Sequence, residues 1–285
     1  MARRTGGSLA FVCRTLEVSR SWFYYRRTPR RQPAGCRRPD VEAAIQQILL
    51  ERPATYGYRR IRGMLVRRGV HANWKTVWRI LRRRGWLSST RQRTLRPGRL
   101  HEGQVSVREP NRRWASDITS IKAWNGEKGR LAVIVDCADR CVVAWQWARR
   151  LPSQELQEMV REAIFRRFGP DRAQAWGLEF LSDNGPEYAC KRLRAVLQGF
   201  GMVVCRTPHR SPESNGLAEA FFGSFKRDDV YQGALESVEA VGRQLPGWLQ
   251  DYNEIAPHSA LGLQAPAQFY RDWRRSTLTQ VPVQK

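Results

Sequence analysis

The chain has 285 residues, enough for roughly two domains, and is 41% hydrophobic, which supplies a packed core and excludes a disordered chain despite the charge. Fifty Lys and Arg stand against 26 Asp and Glu, a net charge of +24, and only six of the fifty are Lys. A polyanion is the natural partner of such a chain, and nucleic acid is the simplest one. No run of about 18 apolar residues occurs, so no membrane span is expected. No basic amphipathic helix sits beside an apolar anchor, which argues against a membrane-surface role. The six cysteines form no C-x-x-C pair, and the four histidines make no zinc spacing with them. They read as reduced thiols of a cytoplasmic protein.

The charge is uneven. Residues 1–116 hold 28 basic and 6 acidic side chains, a net +22, whereas residues 117–285 are nearly balanced at +2. An arginine-rich genome would explain Arg over Lys, but not this asymmetry. Residues 8–27 have helical apolar spacing and read as two short helices with a turn at Glu17–Ser19. TPRRQPAGCRRPD at 28–40 reads as a linker, and 41–51 as a helix.

Residues 57–86 carry more. A helix from about Tyr58 to Arg68 is stopped by Gly69, and a second opens at the N-cap Asn73 and stops at Gly85. On the second helix Trp74, Val77, Trp78 and Leu81 form an apolar stripe, and Lys75, Arg79 and Arg82 a basic one. One face would pack and the other meet phosphate, as in a helix-turn-helix reader. An ordinary amphipathic helix with a solvated face has the same pattern. Residues 88–110 read as a basic linker suited to follow a DNA backbone.

From residue 114 the period changes. Trp114–Lys122, Arg130–Asp136 and Cys141–Trp147 read as strands, with turns at Asn125-Gly126 and Ala138–Arg140. Ser153–Phe168 reads as a helix capped by Ser153, Leu178–Leu181 as a strand, Tyr188–Gln198 as a helix and Met202–Arg206 as a strand. Helices are expected from Asn215 to about Tyr231 and over Val238–Asn253. Three strands followed by alternating helix and strand give one mixed α/β sheet.

Three acids stand out: Asp117 in the first strand, Asp183 after the fourth, and Glu219 in the first turns of a helix. An Asp at a strand end lies where open α/β sheets bind ligands. Three gathered carboxylates repel one another unless a cation is present, and Mg²⁺ prefers oxygen ligands. Simpler roles exist for each. Asp183-Asn184-Gly185 is ordinary turn chemistry, Glu219 suits a helix dipole, and Asp136, Glu187 and Glu213 compete.

Several stretches together carry a resemblance. These are the Trp-x-x-Asp of Trp114–Asp117, SDNGPEY at 182–188, SPESNGLAEAFFGSFK at 211–226 and YNEIAPHSALGLQAPAQF at 252–269. With 35 residues between Asp183 and Glu219, and Lys226 seven positions after Glu219, the segment 111–273 resembles the D-D-E catalytic core of bacterial insertion-sequence transposases, a retroviral-integrase-like group. Residues 56–86 look like that family's helix-turn-helix. The likeness is strongest to the second-frame (OrfB) products of elements with two overlapping frames.

The resemblance implies a ribonuclease-H-like fold: a mixed five-stranded sheet with helices on both faces, preceded by an all-α helix-turn-helix region. It implies five segments: a basic segment at 1–40, a helix-turn-helix domain at 41–88, a linker at 89–110, the catalytic core at 111–275 and a tail at 276–285. It implies a metal-dependent polynucleotidyl transferase. Asp117, Asp183 and Glu219 would hold two Mg²⁺ ions, with Mn²⁺ able to substitute. A strand is cut at the element end, and the freed 3′-hydroxyl attacks a second phosphodiester. Lys226 and Asn215 would contact DNA beside the acids, and Lys75, Arg79 and Arg82 would contact it from the helix-turn-helix.

The implied partners are element terminal repeats, target DNA, further copies on DNA and the first-frame product, in a bacterial cytoplasm at the nucleoid. Some features depart from the family. Ala256 stands where many relatives carry a basic residue, the integrase zinc module is missing, and MARRTGGSLA shows no first-frame DNA-binding segment. Two alternatives follow: a non-catalytic DNA-binding regulator derived from a transposase, and a nuclease of RNA–DNA hybrids using the same acids.

Overall fold

The computed structural model describes residues 9–19, 38–52, 55–88, 107–206 and 216–279. It divides the chain into two compact units, 1–42 and 43–285. In the first, helix α1 (Leu9–Thr15) ends where Glu17 turns left-handed at φ 50°, within the expected turn. The second short helix and the linker expected at 28–40 lie largely outside the described residues. Helix α2 (Pro39–Glu51) crosses from one unit to the other and is the helix expected at 41–51.

Helices α3 (Tyr58–Arg67) and α4 (Trp74–Arg84) form the expected pair. Gly69 takes φ 74° after α3. The Asn73 side chain accepts the Lys75 backbone N–H at 2.9 Å, and Gly85 closes α4 at φ 71°. Both glycines sit in the left-handed region that a Cβ disfavours. The buried face of α4 is Val77, Ile80 and Leu81. This differs in part from the expected stripe. Trp74, in the first turn, meets the Tyr58 ring at 5.8 Å and stays 46% exposed, and Trp78 is half-buried.

The sheet holds β1 (Arg113–Lys122), β2 (Lys128–Asp136), β3 (Val142–Ala148), β4 (Glu179–Ser182) and β5 (Val203–Arg206) in the order β3-β2-β1-β4-β5. The first three pair antiparallel through the expected turns, and β4 and β5 run parallel to β1. This is the mixed five-stranded sheet of the ribonuclease-H-like fold. The run Leu131–Val135 in β2 is apolar throughout because both of its faces are covered. Ala132 and Ile134 pack with α5 (Ser153–Phe168) and α6 (Lys191–Gly199) on one side. Leu131, Val133 and Val135 pack with α7 (Gly216–Asp228) and α8 (Val238–Glu254) on the other.

Some expected edges move. Ser153 opens α5 without capping it; Pro152 holds the cap position, where its φ of −65° suits a helix entrance and no side-chain bond is needed. Helix α7 ends at Asp228, and Val230–Gln232 makes a separate tight turn. A helix α9 (Pro266–Thr279) closes the described chain and takes in residues 276–279 of the expected tail.

The helix pair is fastened to the sheet unit. Arg60 of α3 pairs with the buried Asp228 at the end of α7, and Arg52 bonds Asp251 of α8 at 2.6 Å. Gly63 of α3 lets the backbone close on the Pro257–Leu263 segment, where an added Cβ would stand 3.1 Å from Pro257 Cβ and 3.2 Å from Leu263 Cβ. Beside this junction, burial first and then the neighbouring Asp228 and Asp251 push the Asp229 carboxyl up to about 7.

The folded chain therefore holds this proton more tightly than the unfolded one. Asp229 should reduce stability as pH rises from about 4 to about 7, by a few kcal/mol in all, with no further change above. Asp229→Asn is expected to flatten that slope in urea melts at stepped pH. An unchanged slope would show that Asp229 does not carry it.

Candidate active site

The two aspartates come together through strand register. Ala115 of β1 stands opposite Leu181 of β4 in a parallel pair. Asp117 lies two residues further along β1, and Asp183 is the first residue after β4, so the paired strand ends bring the two acids to the same end of β4, close enough for Asp183 to act on the Asp117 carboxylate. The period of two places Asp117 on the same face of β1 as Ala115.

The turn after β4 is built to hold Asp183. Its Oδ1 accepts the Gly185 backbone N–H at 3.0 Å. A Cβ on Gly185 would lie 3.0 Å from that oxygen and 3.3 Å from Glu187 Oε2, which explains a residue without one. Glu187 bonds Arg130 of β2 at 2.5 Å. The buried Tyr188 hydroxyl meets Ser116 Oγ at 2.8 Å, and Ser116 Oγ donates to Val133 O at 2.9 Å. Burial pushes the Tyr188 phenol well above its usual range. The Tyr of SDNGPEY thus bolts the turn to β1 one residue before Asp117. Sequence reading passed over Tyr188 and Ser116; a Tyr two residues after an Asn-Gly-Pro turn was the available signal.

The Asp117 carboxylate is half-buried and accepts the Ile118 N–H at 2.8 Å. Burial is the main cause that raises its pKa to about 6; Asp183 and Glu219 raise it further by repulsion, and Lys226 opposes them. The other three predicted groups therefore all act on Asp117. Glu219 lies exposed in the first turn of α7. Lys226, seven residues along, returns to the same helix face. Its ammonium donates to Thr119 Oγ1 at 2.6 Å and to Ser120 O at 3.0 Å. Two of its three donors thus serve the fold, fastening α7 to β1 just past Asp117.

The competitors have other work. Asp136 is fully buried and pairs with Arg167, and Glu187 pairs with Arg130. Asn215 and Glu213 lie outside the described residues. On α4, Lys75, Arg79 and Arg82 are exposed, with Lys75 Nζ 5.5 Å from the Trp74 ring centre and the Arg82 guanidinium 5.1 Å from that of Trp78. Among the described residues no three His, Cys, Asp or Glu side chains stand close enough to enclose a metal ion. The donor chemistry nonetheless fits a hard divalent cation. The groups are carboxylate oxygens, and a half-buried one is unbalanced by two neighbours of like charge.

Comparison with known proteins gives the family. The chain matches the integrase core domain family over residues 107–212 and again over 201–266, and an HTH-like domain over 37–94. The transposase InsD of insertion element IS2 from Escherichia coli is 34% identical over 278 residues, covering 93% of this chain and 92% of that protein. The chain belongs to the insertion-element transposases. An insertion element IS136 protein of Agrobacterium fabrum is 42% identical over 179 residues, 62% of this transposase and 91% of that protein. The catalytic core domain of BIV integrase aligns over 59% of this transposase and 99% of its own chain, at 21% identity and a TM-score of 0.43. No helix among the described residues is long and apolar enough to cross a membrane.

Proposed function

We propose that this family member is an active DNA transposase. It binds element-end DNA, cuts one strand and joins the freed 3′-hydroxyl to another phosphodiester. The observation that supports the reading is the parallel β1–β4 pairing that ends just before Asp117 and Asp183, with Asp183 and Glu219 both acting on the Asp117 carboxylate.

Asp117, Asp183 and Glu219 are the residues that would hold two Mg²⁺ ions, with Mn²⁺ as a substitute. Bound there, such ions neutralise phosphate charge and lower the pKa of the attacking water or hydroxyl. The chain's own part is placement. Lys226 keeps α7 against β1, and the Tyr188–Ser116 bond keeps the Asp183 turn beside Asp117. Glu219 lies exposed in the first turn of α7, where DNA would approach. The third donor of Lys226, together with Asn215, would meet DNA there.

In this reading a helix-turn-helix at 41–88 would read duplex, a basic linker at 89–110 would follow its backbone, and the catalytic core would run from 111. Transposition needs two synapsed ends, so oligomers on DNA and cooperation with the first-frame product belong to this reading, at the bacterial nucleoid.

Exposed Lys75, Arg79 and Arg82 would meet backbone phosphates. Replacing all three by Ala is expected to lower duplex affinity and to cut the slope of log K against log salt by about 2.7, at about 0.9 per phosphate contact. Fluorescence anisotropy across a salt series checks this; an unchanged slope would move the duplex elsewhere. The function itself is tested by incubating the full chain, with and without first-frame product, with element-end DNA and Mg²⁺. Nicking and joined products support it. Binding without cleavage would make the chain a regulator, and cleavage confined to RNA–DNA hybrids would make it a ribonuclease.

A further inference from the structure

We propose a second nucleic-acid site on this transposase, a cavity between the end of α5, the start of β1 and α9 that takes one unpaired DNA nucleotide. The proposal rests on the reading that the chain works on DNA and adds a site distinct from the acids. The cavity has a volume of about 480 Å³, and its walls include Asn111, Arg167, Gln174, Tyr270, Trp273 and Arg274. No carboxylate lines it. That volume suits a single small ligand and is too small for a duplex.

The decisive group is Arg167. Its side chain is 7% exposed. Nε donates to Asn111 Oδ1 at 2.7 Å, and Nη2 is taken by Asp139 and Asp136. Its plane lies 3.7 Å from the centre of the Tyr270 ring. Every part is therefore fixed, yet Nη1 makes no hydrogen bond among the described residues, and the residue lines the cavity. Nη1 is not among the buried atoms that lack a partner, so it opens to the cavity, where a rigidly held guanidinium nitrogen is a ready donor to an anionic oxygen.

Arg274 pairs with no acid among the described residues and lies 5.9 Å from the same ring. Trp273, half-buried, stacks on Tyr270 at 6.0 Å and 19° and presents a further aromatic surface. The Arg274 cation and the Arg167 Nη1 donor beside an aromatic wall, with the amides of Asn111 and Gln174, match a phosphate joined to a base. Asn111 precedes Asp117 by six residues, roughly 20 Å along the strand direction. A single strand leaving the acids could reach the cavity without competing for them.

The test uses the full chain with two probes: a fluorescent oligothymidylate and a duplex of the same length. Trp273→Ala and Arg274→Ala are each expected to weaken oligothymidylate binding about tenfold, the scale of a lost base–aromatic stack. Duplex binding should stay within about twofold, since α4 carries it in the reading above. Iododeoxyuridine placed in the single strand should crosslink within α9, and Trp273→Phe should keep most of the affinity. Wild-type oligothymidylate binding in both Ala variants, with crosslinks elsewhere, overturns the cavity alone. Failure of the wild type to bind either probe overturns the cavity and the broader reading together.

Discussion

Asp117→Asn, Asp183→Asn and Glu219→Gln are each expected to lower strand cleavage and joining by roughly a thousandfold or more, with duplex binding unchanged. Each substitution keeps the side-chain shape and removes one negative charge. The same loss of charge should favour folding slightly. Asp117 is half-buried with a pKa of about 6 because burial and two neighbouring carboxylates oppose its ionisation. Asp117→Asn removes that repulsion, so its melting midpoint should rise or hold while activity disappears. A structural role predicts the reverse, with stability falling alongside activity. Gel-based cleavage and joining assays beside thermal melts separate the two. A variant that joins ends at the wild-type rate would remove its residue from the catalytic set.

Arg167→Met should destabilise the chain by about 3–5 kcal/mol, the usual result of stripping one partner from a buried ionic group. Asp136 and Asp139 are fully buried, and both face this one guanidinium. Asp136 has further partners. Its Oδ2 accepts the Asn111 N–H at 2.7 Å and the Trp114 indole N–H at 3.2 Å, and its Oδ1 accepts the Ala138 N–H at 2.8 Å. Asp139 depends more on Arg167: burial drives its pKa up, and the guanidinium is the main group that opposes this. Adding Asp139→Asn to Arg167→Met should therefore recover part of the loss. Urea midpoints of the single and double variants measure it. A loss under about 1 kcal/mol would mean that the aspartates are satisfied without Arg167. The network joins the start of β1, the β2–β3 turn, the end of α5 and, through the Tyr270 ring, α9. It holds the sheet from the end opposite the proposed catalytic acids.

Local chemistry made much of this molecule legible in its sequence. The two-sided burial of β2 shows as an unbroken run from Leu131 to Val135. The caps of α4 show as Asn73 and Gly85, because an Asx side chain and a left-handed glycine act within two or three residues. The site was legible only through family motifs. Asp117 and Asp183 are neighbours because β4 runs parallel to β1 at one register, and no local spacing encodes that pairing.

Arg167 was hidden for a similar reason. It ends an amphipathic helix beside Arg166 and resembles a solvated charge, yet the β2–β3 turn supplies its partners from far along the chain. Lys226 stood out as a candidate DNA contact but not as a fastener, since Thr119 and Ser120 lie more than a hundred residues away. Helix α9 escaped because its apolar positions are interrupted by charge, although Pro266 is a regular first-turn residue.

The central claim is that Asp117, Asp183 and Glu219 share a cation site. Anomalous diffraction from crystals of the full chain grown with Mn²⁺ tests it most directly. The account predicts an anomalous peak bridging the Asp117 and Asp183 carboxylates, with Glu219 joining when element-end DNA is present, and loss of that peak in Asp117→Asn. Mn²⁺ bound elsewhere, with no density between the two aspartates even on DNA, would contradict it.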